Sequence, residues 1–184
     1  MSAEAVTAPS VTARALLPGS RVVAVLALAL PLLTGVPLWA GCAMESVALS
    51  RMPPFAGKEV RLESYCACCL APVSLATRDG DIVSRVPESV LIHVSTSPRE
   101  WNTTNIVCMC DSMNYVADAE HALRYERQIC RRGVLFTLEQ ARRFVADTAA
   151  NRMWRYDWPP ARVVPERIIA GIKALGVDVS SWGG

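Results

Sequence analysis

The run Glu59-Val60-Arg61-Leu62-Glu63-Ser64-Tyr65-Cys66-Ala67-Cys68-Cys69-Leu70-Ala71-Pro72-Val73-Ser74-Leu75-Ala76-Thr77-Arg78-Asp79-Gly80-Asp81-Ile82-Val83-Ser84-Arg85-Val86 carries three strand signals and two reversals. Charged and apolar side chains alternate from Glu59 to Glu63, the period of a strand with one face buried. Cys66-Ala67-Cys68-Cys69 interrupts the alternation and Pro72 to Thr77 resumes strand-like sequence, so the two runs are expected to pair across the cysteine loop. Asp79-Gly80 is a strong tight-turn pair, because both residues tolerate the left-handed backbone that a short hairpin loop needs. Ile82 to Val86 follows it and makes a further hairpin. Ser89 to Val94 reads as another strand, ended by Ser97-Pro98. Reversals this short join antiparallel neighbours.

Helices enter the rest of the chain without the regular alternation of a doubly wound sheet. Asp118 is placed to cap a helix from Ala119 to about Arg127. Gly133-Val134-Leu135-Phe136 reads as a short buried strand, and Thr137-Leu138-Glu139-Gln140 as a capping box that opens a helix through Phe144 towards Trp154. Trp158-Pro159-Pro160 breaks the chain, and Pro165 begins a last helix that ends at Gly176. Met1 to Ser20, rich in Ala, Ser, Thr and Pro, reads as a loose tail, which leaves residues 21–184 as a single domain. Val22 to Leu33 is apolar on all sides and is either a buried strand, a buried helix or part of a membrane span, and Thr34-Gly35-Val36-Pro37 reads as a turn. No repeat at a fixed short period is present. The expected class is α+β, with small, mostly antiparallel sheets flanked by helices.

A chain of 184 residues sustains one domain with a real core. Its net charge of +2 comes without any block of like charges, so no basic face calls for nucleic acid. Few residues are aromatic and none interleaves with a basic stretch, which excludes a stacking platform for single strands. Seven cysteines stand at positions 42, 66, 68, 69, 108, 110 and 130. An odd number in close pairs makes a poor disulfide framework, since neighbours cannot bridge one another without strain. Reduced thiols in the cytoplasm, bunched for soft-metal or redox chemistry, are the simpler expectation. The alternative is an exported or membrane-anchored protein. No charge falls between Val22 and Met44, Arg14 and Arg21 precede that run, and Leu38-Trp39-Ala40-Gly41-Cys42 has the small residues that precede a lipid-bearing cysteine. Pro31, Gly35, Pro37 and Gly41 break the same run into pieces that suit buried strand and loop.

Trp39 to Leu49 holds a thiol and a carboxylate three residues apart. As a helix ending near Arg51, ahead of Pro53-Pro54, it would set Cys42 and Glu45 one turn apart on one face while Ala43, Met44, Val47, Ala48 and Leu49 pack the others into a core. A carboxyl group in so dry a setting should resist ionisation, giving a soft metal ligand beside a proton donor. Downstream, Cys108 and Cys110 are expected at a strand end, where alternation would turn both to one face and let both reach one metal. Cys-x-Cys and Cys-x-Cys-Cys are off the spacing usual for structural zinc. Thiolates converging from separate elements suit a large, soft, low-coordinate metal.

In these segments the chain resembles the organomercurial (alkylmercury) lyases. The family's Cys-Ala-x-Asp element is matched by Cys42-Ala43-Met44-Glu45, preceded by Leu38-Trp39. Its Ser-x-Cys segment before a proline-containing strand is matched by Ser64-Tyr65-Cys66 and Ala71-Pro72-Val73-Ser74-Leu75. The strand with the second essential cysteine is similar to Cys110-Asp111-Ser112-Met113-Asn114-Tyr115-Val116-Ala117-Asp118, and Gly133 to Ala141 is similar to the strand and helix that close the family's domain. The resemblance runs from Leu38 to Ala146 in consistent order. It implies an α+β core and protonolysis of a carbon–mercury bond to hydrocarbon and Hg(II), with no cofactor, mercury being bound as substrate and product. It further implies Cys42 as the first thiolate, Cys110 as the second with Cys108 beside it, and Glu45 as the proton shuttle, in a step that calls for lowered thiol pKa values and a raised carboxyl pKa. The partners it implies are an organomercurial substrate and a mercuric reductase or small thiols to take the Hg(II), with no nucleic acid and no membrane. Two departures stand out: the family's acid is Asp where this chain has Glu45, and the residues ahead of Cys42 are too few for the family's winged-helix module. A non-catalytic soft-metal binding or transfer protein on the same scaffold is the alternative from another class.

The resemblance makes Cys66 a supporting residue, while Cys68 and Cys69 either bind or relay a metal or form a tight structural loop with it. Cys130 is expected at a helix end with a modestly activated thiol, His93 as structural on a strand, and His121 as solvated on a surface helix. Trp154, Tyr156 and Trp158 either cover the core or line an apolar substrate pocket.

Overall fold

The computed structural model describes residues 27–31, 38–101, 106–146 and 164–183. Among these residues eight strands fall into two antiparallel sheets. The first contains β1 (Ala27–Pro31), β2 (Leu38–Ala40), β3 (Glu59–Tyr65), β4 (Pro72–Arg78) and β5 (Asp81–Val86), in the order β2-β1-β3-β4-β5. The second contains β6 (Leu91–Val94), β7 (Met113–Val116) and β8 (Val134–Thr137), in the order β7-β6-β8. The α-helices among the described residues are α1 (Ala43–Ala48), α2 (Ile106–Asp111), α3 (Ala119–Ile129), α4 (Leu138–Phe144) and α5 (Pro165–Ala174). The arrangement is the α+β class read from the hairpin signals.

The cysteine-loop hairpin forms as expected. Seven residue pairs join β3 to β4, from Glu59↔Arg78 to Tyr65↔Pro72. The alternation of β3 sends Val60, Leu62 and Ser64 inward and leaves Arg61, Glu63 and Tyr65 exposed. Asp79 and Gly80 both take positive φ, 52° and 85°, and turn the chain into β5. Of the three readings left open for Val22 to Leu33, Ala27–Pro31 is a strand, paired on one side with β2 and on the other with β3. Among the described residues no helix is long and apolar enough to cross a membrane.

The caps fall where the side chains predict them. Asp118 accepts from the backbone N–H of His121 and starts α3, and Thr137 and Gln140 form the capping box of α4. Cys130 ends α3 in the left-handed conformation, φ 53°, and Gly176 follows α5 at φ 78°. The tail Met1 to Ser20, the turn at Thr34 to Pro37 and the aromatic group Trp154, Tyr156 and Trp158 lie outside the described residues.

Three expectations are corrected. Cys42 is not inside a helix: it is the extended N-cap residue of α1, and only a 3-10 turn over Leu49–Arg51 carries the helical run on. Cys108 and Cys110 lie on α2 and not at a strand end. The β-branched start of that segment reads as a strand, but polar side chains beyond it satisfy helical carbonyls: Ser112 Oγ donates to Met109 O at 2.7 Å and Asn114 Nδ2 to Asp111 O at 2.8 Å. Positions two apart on a helix do not share a face, so the strand argument for a Cys108–Cys110 pair lapses. His121 is not free in solvent, because its Nδ1 sits 2.9 Å from the Asp118 carboxylate that caps the same helix.

The core lies between the sheets and around α1. Ala43, Met44, Ser46, Val47 and Ala48 of α1 are buried, as are all four residues of β7. A polar staple joins the two elements: Ser46 Oγ lies 2.7 Å from Tyr115 Oη, and Tyr115 Oη donates to Ala43 O at 3.2 Å. Both hydroxyls are fully buried, where an unpartnered one would cost about 1–3 kcal/mol, so their mutual bonding fixes α1 against β7.

Candidate active site

That staple brings the segment around Cys42 against the segment around Cys110. Cys42 stands between β2 and α1 and is 2% exposed. Its Sγ accepts from the backbone N–H of Glu45 at 3.4 Å, the place a Ser or Asp cap oxygen would take. Glu45 folds back, and its Oε2 accepts from Gly41 N at 2.8 Å. Cys110, in the last turn of α2 just before β7, places its Sγ 4.0 Å from Glu45 Oε1. Cys42 Sγ, Cys110 Sγ and a Glu45 carboxylate oxygen all lie within 4.8 Å of one another, the one such group of ligating side chains among the described residues. The three residues singled out from the sequence therefore meet.

The two thiols are electrostatically unequal. Contact with Cys110, burial and the Glu45 carboxylate hold the Cys42 thiol well above the ordinary thiol range. The same contact with Cys42 holds Cys110 below that range, against burial and the charges of Glu45 and Asp111. The pair as a whole therefore favours a single negative charge, with Cys110 shifted towards the thiolate and Cys42 away from it. The expectation of two depressed thiols thus holds for Cys110 and fails for Cys42, because a buried pair beside a carboxylate favours one negative charge over two.

The other cysteines whose side chains are described, Cys66, Cys68, Cys69 and Cys130, are not part of this cluster. Cys66 is buried, and its Sγ accepts from Ala117 N at 3.3 Å, while Ala67 N donates to Tyr115 O at 2.8 Å. Cys66 and Ala67 therefore dock the loop on the end of β7, which gives Cys66 a structural role. Cys69 and Cys130 are exposed, and Cys68 is half-buried. The backbone of Cys108 lies on α2, and its side chain is outside the described residues. His93 is structural, as expected: fully buried, with Nε2 3.2 Å from Glu126 Oε1 and its ring edge-on to Tyr125 at 5.4 Å.

Sequence reading missed four contributors. Gly41 donates to Glu45, and a Cβ there would lie 2.6 Å from Glu45 Oε2 and 3.7 Å from Cys110 Sγ. Ser46 and Tyr115 form the staple, and Met113 places its sulfur 3.9 Å from Cys42 Sγ. The available signals were polar groups inside apolar runs and a glycine directly before the thiol.

The alkylmercury lyase (MerB) family profile matches residues 31–150, a span that contains strands β2 to β8 and the whole cluster. The chain belongs to the alkylmercury lyase family. Among solved structures, one described as the mercury-bound form of MerB2 shares its fold, with a TM-score of 0.53 and 22% identity. That match takes in 67% of this chain and 57% of that one, so the chain corresponds to little more than half of the solved protein. No curated protein sequence gives a significant match. The resemblance read from Cys42-Ala43-Met44-Glu45 and Cys110 to Asp118 is borne out at the level of family and fold.

Proposed function

We propose that the chain is an alkylmercury lyase that cleaves the carbon–mercury bond of organomercurials by protonolysis, with Cys42 and Cys110 as mercury ligands and Glu45 as the proton carrier. The observation that carries this reading is the convergence of two thiols and a carboxylate within 4.8 Å. Cys110, the more acidic thiol, attacks mercury as thiolate and displaces the anionic ligand X of R–Hg–X. Cys42 then forms the second Hg–S bond, and its proton passes by way of Glu45 to the carbon as the Hg–C bond breaks. The balance closes without an outside acid or base: R–Hg–X, one thiolate and one thiol give R–H, a mercury bis-thiolate and X⁻. A thiol pair that holds one proton is the protonation state this reaction consumes.

Gly41 N holds one oxygen of Glu45, which orients the carboxyl group towards the thiols despite its extra methylene relative to Asp. All groups the step needs come from the chain and the substrate, so the reading includes no cofactor. Hg(II) would leave to small thiols or a mercuric reductase. The six described cysteines are free, in keeping with a reducing, cytoplasmic setting. Cys108, whose backbone lies on α2, enters as a candidate ligand secondary to the Cys42 and Cys110 pair.

The test is incubation of reduced protein with methylmercury and excess small thiol, followed by assay for methane. Turnover is expected in the wild type, none in Cys42→Ser or Cys110→Ser, and full turnover in Cys130→Ser. Stoichiometric mercury binding with no methane would leave the metal-binding alternative in its place.

A further inference from the structure

Met113 is the first residue of β7 and is 4% exposed, and its Sδ lies 3.9 Å from the Cys42 sulfur. An aliphatic side chain would fill this position equally well, yet the element that follows Cys110 brings a thioether to the reactive thiol. We infer that Met113 is a third sulfur ligand, which binds Hg(II) together with Cys42 and Cys110 once the hydrocarbon has left. The inference rests on the proposed site, with mercury held between the two cysteines.

The first argument is geometric. Metal–sulfur bonds on the order of 2.3–2.5 Å put the sulfurs of a three-coordinate centre roughly 4 Å apart. Cys42 and Met113 already stand at that separation, so both can reach one ion without rearranging the backbone. The second argument concerns charge. Two thiolates neutralise Hg(II), and a third anionic ligand would leave a net negative charge in a buried site beside Glu45. A thioether adds a soft donor and no charge. The third is placement: Met113 is held by strand pairing with Val94, and the Tyr115 staple two residues on fixes the same strand to α1. The strand that carries Met113 is therefore fixed before metal arrives, with its buried side chain against Cys42. In catalysis Met113 would retain Hg(II) until a dithiol acceptor collects it.

The experiment loads the reduced full-length protein, freed of small thiol, with substoichiometric HgCl2 and counts sulfur neighbours of mercury by X-ray absorption. Three sulfurs are expected in the wild type and two in Met113→Leu, a volume-conserving change. Transfer of the bound Hg(II) to a competing dithiol is expected to be about tenfold faster in the variant, a loss of one weak ligand. Two sulfurs in the wild type, a third sulfur that persists in Met113→Leu, or equal transfer rates would overturn the inference. The wild-type count stands even if the variant folds poorly. Because Hg(II) alone is the probe, failure of the lyase reading is separate: it appears as absence of methane from methylmercury while the three-sulfur count is intact.

Discussion

At Gly41 the absence of a side chain is what leaves room for the acid. Its N–H holds Glu45 Oε2, and any Cβ would push into that oxygen and towards Cys110. Gly41→Ala should therefore cut hydrocarbon release by about 10²-fold, the cost of misplacing a reacting group by about an ångström, as measured by single-turnover kinetics. The thiol pair gives a second prediction. Cys110 is acidic chiefly because of Cys42, and burial opposes that effect, so Cys42→Ala should raise the Cys110 pKa; thiolate absorbance followed through a pH titration reads the change. An unchanged titration would mean that the two thiols do not interact. Cys42, Glu45 and Cys110 were legible in the sequence because their side chains carry recognisable chemistry. Gly41, Ser46 and Tyr115 were not, because their roles arise only when β7 comes against α1, and nothing local to either segment encodes that approach.

Among the elements, the hairpins and caps were readable because their causes are local. Alternation from Glu59 and the Asp79-Gly80 turn specify β3 to β5, and Thr137 with Gln140 specifies the start of α4. Helix α2 was misread because its C-terminal carbonyls are satisfied by Ser112 and Asn114, polar groups that a periodicity reading assigns to the next segment. Two predictions concern junctions between elements. Tyr115→Phe removes the hydroxyl shared by Ser46 and Ala43 and should cost about 1 kcal/mol in denaturant unfolding. It should also lower kcat with KM little changed, since the loosened element is the one that carries Cys42. At the end of β6, Gly133 lies against the His93 ring, and a Cβ there would come within 2.6 Å of Val94 O. Gly133→Ala should then destabilise the second sheet by about 1–3 kcal/mol through overpacking.

The whole molecule joins two sheets through a core that includes one buried, titratable imidazole. Burial holds the His93 pKa below its ordinary value, with Glu126 opposing. The unfolded chain therefore binds a proton that the folded one refuses, and stability rises with pH across this window. The His93 contribution is complete above the ordinary histidine pKa of about 6.5 and is lost as pH falls through the folded value. Denaturant midpoints at mildly acidic and neutral pH should differ in that sense, and a flat profile would contradict the burial account. At the same scale the reaction itself is most directly tested by a single turnover of methylmercury in D2O, with gas-phase mass spectrometry of the product. The account predicts stoichiometric CH3D from the wild type and none from Glu45→Gln, although that variant still binds mercury. Wild-type protein that binds methylmercury at both thiols and releases no methane, or Glu45→Gln that releases it at the wild-type rate, would contradict it.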